Sequence, residues 1–132
     1  MKIAKNNQEN QSEQKDPNAL TVFETGDTRT IDFVLKDGTR QNFAYAHYMT
    51  AWIGIDKESE NNERYIKIFF ATHLVTINGY CLDEIYNSLI SFSLKSVKVI
   101  DDRYLDMAGD DESFVKDITI TWKKEEGKSI EN

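Results

Sequence analysis

The stretch Asn78-Gly79-Tyr80-Cys81-Leu82-Asp83-Glu84-Ile85-Tyr86-Asn87-Ser88-Leu89 decides the fold. Leu82, Ile85, Tyr86 and Leu89 stand at i, i+3, i+4 and i+7, one face of a 3.6-residue period. Asp83 and Glu84 fall where the positive end of the helix dipole favours them, and Asn78-Gly79 supplies turn chemistry where the preceding strand must stop. The spacing predicts one amphipathic helix over residues 82–92, lying as a lid on a sheet.

On the N-terminal side of this helix the pattern is that of strands. Ile31, Phe33 and Leu35 alternate with Asp32 and Val34, then run into Lys36-Asp37-Gly38, a hairpin signal. The return strand from Arg40 carries Phe43, Tyr45 and His47 on one parity. Met49, Ala51, Ile53 and Ile55 continue it, so one long bent strand is expected, with Tyr48 and Trp52 side by side on its other face. Residues 65–70 and 73–77 form a second pair about a reversal at Ala71-Thr72. After the helix, Val97, Val99 and Ile100 read as a fifth strand, and Ile118, Ile120 and Trp122 alternating with Thr119 and Thr121 as a sixth. The expected class is α+β: a strongly bent antiparallel sheet or partly open barrel, about six strands in the order ββββαββ, with the helix packed on it. A pleckstrin-homology-like barrel is the alternative, disfavoured because its helix closes the chain whereas two strands follow this one.

Residues 1–19, rich in Asn and Gln and holding the sole proline, Pro17, read as a disordered arm, and residues 123–132 as a disordered tail. Residues 20–122 are then a single domain. Each tail carries three basic and three acidic side chains, so the whole net charge of −7 belongs to the domain. An acidic body repels phosphate backbones and anionic membranes, which argues against nucleic-acid and membrane partners. With no apolar leader and no stretch of about 20 apolar residues, a cytoplasmic protein is expected. The single cysteine, Cys81, reads as a buried reduced thiol at the start of the helix face.

No residue set forms a recognisable catalytic apparatus. His47 and His73, the only histidines, share parity with apolar neighbours and lack metal-ligand spacing. The cluster Asp101, Asp102, Asp106, Asp110, Asp111 and Glu112 does not match a calcium loop, and reads as a solvated acidic loop or a surface for a basic partner. Asp56, Glu58, Glu60 and Glu63 offer a second acidic patch. No cofactor and no metal are expected.

From Ile31 to Ile100 the order of residues resembles a group of short uncharacterised bacterial proteins. The residues that carry the likeness are Lys36-Asp37-Gly38-Thr39-Arg40, Tyr45, the run Ile66 to His73, then Gly79, Leu82, Tyr86 and Leu89, and finally Val97 to Ile100. The resemblance implies a bacterial origin and a compact domain, and brings no activity with it.

These readings converge on a non-catalytic binding module that meets a protein partner, or itself, through an aromatic sheet face or an edge strand. Tyr48, Trp52, Asp101, Asp102, Asp110, Asp111 and Glu112 are the candidate binding residues. An acidic inhibitor or immunity-type protein that neutralises a basic partner is the second reading. A small ligand-binding protein or enzyme using a sheet cavity with Tyr45, His47 and His73 is the third.

Overall fold

The computed structural model of the protein describes residues 21–59 and 62–123. The expected arm at 1–19, the tail from 124 onward and Glu60 lie outside the described residues. The described chain folds as α+β, with strands β1 Phe23–Thr25, β2 Thr30–Val34, β3 Arg40–Ala44, β4 Tyr48–Ile55, β5 Arg64–Phe70 and β6 His73–Tyr80. Helix α1 (Asp83–Ile90), β7 (Leu94–Lys98) and β8 (Phe114–Trp122) complete it.

These strands form two four-stranded sheets, in the orders β1-β7-β2-β3 and β4-β5-β6-β8. No barrel closes, and eight described strands replace the expected six. The count rises because the short β1 joins sheet one, and because the expected long bent strand is two strands. A 3-10 turn at Tyr45–His47 ends β3 at Ala44 and starts β4 at Tyr48. The chain thereby turns a corner from one sheet into the other. The hydrophobic alternation runs through that corner unbroken, which is why it reads as one strand. Pairing is antiparallel throughout except between β2 and β7, which run parallel with Phe33 opposite Val97.

The core lies between the sheets. Phe33 and Phe43 of the first meet Phe70 of the second, with Phe43 and Phe70 stacked at 4.4 Å and Phe33 edge-on to both. Ile66, Ile68, Val75 and Ile77 fill the second sheet's inner face with no exposed area. The helix adds Ile85 and Leu89, preceded by Leu82, all fully buried, and each such side chain is worth roughly 1.5–3 kcal/mol removed from water. It contacts β4 of one sheet and β7 of the other, so it seals the sandwich along one side. Tyr86, on the same face, stays half-buried and donates its hydroxyl to the Ala51 carbonyl at 3.4 Å.

Gly79 is required where β6 meets β8. The ladder slips there, with Asn78 opposite Asp117 and Gly79 opposite Val115. A Cβ on Gly79 would collide with the Phe114 carbonyl oxygen.

Candidate functional site

Two surfaces on the second sheet gather the candidate residues. The first is its outer face. Trp52 lies opposite Lys67 in the β4–β5 ladder, 44 % exposed, with its ring 5.2 Å from that of half-buried Phe69. Phe69 is opposite Leu74, and Leu74 opposite Thr121, so an apolar strip crosses β4, β5 and β6 and ends at Thr121 of β8. Toward the other end the ring of Tyr65 lies over Gly54, occupying the space a Cβ would need. The Lys67 ammonium donates to Thr76 Oγ1 at 3.3 Å, and lies 6.0 Å from the Tyr65 ring centre.

Tyr48 does not join this face. A bulge after Tyr48 reverses the parity of β4, so Tyr48 opposes buried Phe70 while Thr50 opposes Phe69. Its ring packs on Phe70 at 6.3 Å and Phe92 at 5.6 Å. Burial, with a smaller contribution from Tyr86, pushes its phenol above the ordinary value. Parity counting across Met49 misses this because a bulge inserts one residue without leaving a sequence mark.

The second surface is an open cleft of about 780 Å³ at the far end of the same strands, where β4 and β6 end, β5 and α1 begin, and the acidic loop closes over. Six carboxylates line it: Asp83, Glu84, Asp106, Asp110, Asp111 and Glu112. The one cation in the lining, Arg64, is 3.4 Å from Asp83. Exposed Ile55 and Leu105 give it apolar walls. Cys81 is half-buried rather than fully buried: it precedes the helix with φ +53° and donates its thiol to the Asp110 carbonyl at 3.3 Å. The Ser113 hydroxyl donates to the Cys81 carbonyl at 2.7 Å, tying the acidic loop to the helix start.

Of the expected acidic cluster, Asp106, Asp110, Asp111 and Glu112 meet here, although Glu112 Oε1 accepts from the Gly109 amide at 2.9 Å. Asp101 and Asp102 do not line the cleft. Asp101 caps the 3-10 turn Asp102–Met107, accepting from the Arg103 amide at 2.9 Å. Sequence reading missed Asp83 and Glu84, because first-turn acids are explained by the helix dipole alone. Of the expected second acidic patch, Asp56 and Glu63 are spent on structure. Asp56 accepts from the Glu58 amide, and Glu63 pairs with Lys116 at 3.2 Å, a hydrogen bond that raises the lysine's pKa.

None of the expected cavity set, Tyr45, His47 and His73, lines this cleft. His47 sits in the corner turn, and His73 lies between Phe43 at 5.2 Å and Trp122 at 4.1 Å. Tyr45 faces Phe92 and spends its hydroxyl on Leu94. No group of three or more His, Cys, Asp or Glu among the described residues can hold a metal, and no described helix is long and apolar enough to cross a membrane. The chain matches no protein-family model, no curated protein and no solved structure.

Proposed function

We propose that this protein is a non-catalytic binding module that docks a protein partner on the outer face of its second sheet. The observation that carries this reading is Trp52, held at 44 % exposure against Phe69 on a sheet face that no described element covers. Exposed tryptophan on a rigid, uncovered sheet is a typical anchor of protein interfaces. Capture of partners from the source organism's lysate by wild type, Trp52→Ala and a control, Met107→Ala, tests it. A partner retained by wild type and Met107→Ala but lost by Trp52→Ala supports the face. Equal retention by all three removes it.

A second reading, an acidic inhibitor of a basic protein, is favoured by the cleft. Six carboxylates there face one arginine that is already paired. Complementary charge of this kind speeds encounter and rejects wrong partners, and is screened beyond about 10 Å at 0.1 M salt. A captured basic protein released by salt, and by Asp110→Asn with Asp111→Asn, supports this reading. Salt-resistant capture returns the weight to Trp52.

A further inference from the structure

Each sheet has two edges, and three of the four are blunted. Strand β1 is three residues long and bulged. Strand β3 carries Arg40 and Asn42 outward, with Arg40 bound to Asp32 at 2.7 Å. Strand β4 has its bulge after Tyr48 and the Tyr86 hydroxyl on its Ala51 carbonyl. Such devices are how native sheets keep edges from recruiting another chain. Strand β8 has its bulge at Lys116, near its start, and beyond Asp117 it lacks such devices. Its run Ile118-Thr119-Ile120-Thr121-Trp122 has high β-propensity and no charge, glycine or proline.

Backbone geometry identifies which groups this edge offers. The Lys123 amide donates to the Thr72 carbonyl at 2.8 Å, so in the β6–β8 register Asp117, Thr119 and Thr121 likewise turn their backbone groups toward β6. Ile118, Ile120 and Trp122 therefore turn theirs outward. Among the described residues, the backbone contact reaching this edge is the Ile100 amide on the Val115 carbonyl, which leaves the edge beyond it open. Trp122 ends the strand 71 % exposed.

We propose that this open edge pairs with the same edge of a second copy of the chain, antiparallel about a two-fold axis at Ile120. In that register Ile120 meets the partner's Ile120, Thr119 the partner's Thr121, Ile118 the partner's Trp122, and Asp117 the partner's Lys123. By symmetry all but the first occur twice. Each is a favourable cross-strand class: β-branched with β-branched, threonine with threonine, β-branched with aromatic, acid with base. The outward groups of Ile118, Ile120 and Trp122 exchange about six backbone hydrogen bonds, two in each of three pairs.

The charges select this register over its neighbours. Centring on Thr119 sets Asp117 against the partner's Thr121, and centring on Thr121 sets Thr119 against the partner's Lys123. Neither Asp117 nor Lys123 has an ion-pair partner among the described residues. Antiparallel edge pairing keeps like faces together, so the eight-stranded sheet carries both copies of the Trp52 surface on one side. The inference goes beyond the partner-binding reading and does not rest on it.

Sedimentation equilibrium of the full chain from about 1 µM to about 1 mM tests the pairing, since one strand pair buries less than a standard interface and dissociates on dilution. A monomer–dimer equilibrium is expected for wild type. Trp122→Pro removes an outward N–H without touching the β6 ladder and abolishes the dimer while leaving the circular dichroism unchanged. Asp117→Lys places two like-charge pairs in the interface and weakens it by about tenfold. Adding Lys123→Asp reverses both partners and restores affinity to within about threefold. A wild-type monomer at every concentration, a dimer indifferent to Trp122→Pro, or a reversal that restores nothing overturns the proposal. The readout contains no partner protein, so its failure leaves the Trp52 surface to be judged by capture alone.

Discussion

The Tyr45 hydroxyl donates to the Leu94 carbonyl at 2.8 Å and accepts from the Leu94 amide at 3.0 Å. One phenol thus ties the corner between the sheets to the first residue of β7, across 49 residues of chain. Burial pushes its pKa from 10.0 up to about 12, opposed by the Leu94 hydrogen bond and assisted by Tyr48. The folded state favours the neutral phenol, so this contribution is complete below the unfolded value and is lost as pH rises through about 12. Tyr45→Phe strips both partners from buried Leu94 and is expected to cost about 1–3 kcal/mol at neutral pH. Urea unfolding of the two proteins from neutral pH up to pH 12 checks it, the difference between them shrinking at the alkaline end.

Phe92 occupies the position after the helix where glycine is usual. Its φ is +62°, its amide donates to the Leu89 carbonyl at 3.0 Å, and the Ser93 amide reaches the Ser88 carbonyl at 2.9 Å. That is a Schellman termination, made here with a bulky residue in the left-handed region. The ring holds it there by packing on Tyr45 at 5.0 Å and Tyr48 at 5.6 Å. Both Phe92→Gly and Phe92→Ala lose those contacts, but only alanine keeps the backbone strain. Glycine is therefore expected to be the more stable variant by about 1 kcal/mol, the reverse of the usual order, in paired denaturation curves.

The elements that sequence made legible are those whose signals are local. The Lys36-Asp37-Gly38 turn delivers the β2–β3 hairpin, with the Leu35 amide on the Thr39 carbonyl at 2.7 Å. Leu82, Ile85 and Leu89 mark the buried helix face because a 3.6-residue period allows no other grouping. What escaped depends on distant partners. The parallel pairing of Phe33 with Val97 has no local signature, and it is what draws β7 into the first sheet. Parity alone reads both Trp52 and Tyr48 as outward, yet only Trp52 is, because one bulge separates them. The cleft joins Asp83 and Glu84 to Asp110 and Asp111, residues that only the fold brings to one rim.

Gly79 and Gly54 separate two kinds of crowding. At Gly79 the atom in the way is the Phe114 carbonyl oxygen, part of a β-ladder that cannot yield without breaking the bulge. At Gly54 it is the Tyr65 ring on the solvent face, 2.6 Å from an ideal Cβ and free to swing outward. Gly79→Ala is therefore expected to destabilise by about 3 kcal/mol, and Gly54→Ala by about 1 kcal/mol or less. Thermal melts of both variants decide, and equal costs would mean that the Tyr65 ring is held as firmly as the backbone.

The acidic cleft gathers like charges that the fold must hold together. Asp83, Glu84, Asp106, Asp110, Asp111 and Glu112 repel one another around a single paired arginine, and nothing in the folding of the sheets requires Asp111 to be charged. Asp110 serves the fold through its backbone, since it is the carbonyl that accepts from Cys81. Asp110→Asn and Asp111→Asn should each raise stability by a few tenths, about 0.3 kcal/mol, because like charges are separated less favourably than neutral amides. Added salt should raise the wild-type midpoint and raise that of the double variant less, as screening removes the same repulsion. Melts of the two proteins at low and high salt measure both effects. Neutralisation that lowers the midpoint would show that these carboxylates hold the loop in place. A raised midpoint leaves them as charge kept at a cost to the fold, the pattern expected of a surface maintained for a basic partner.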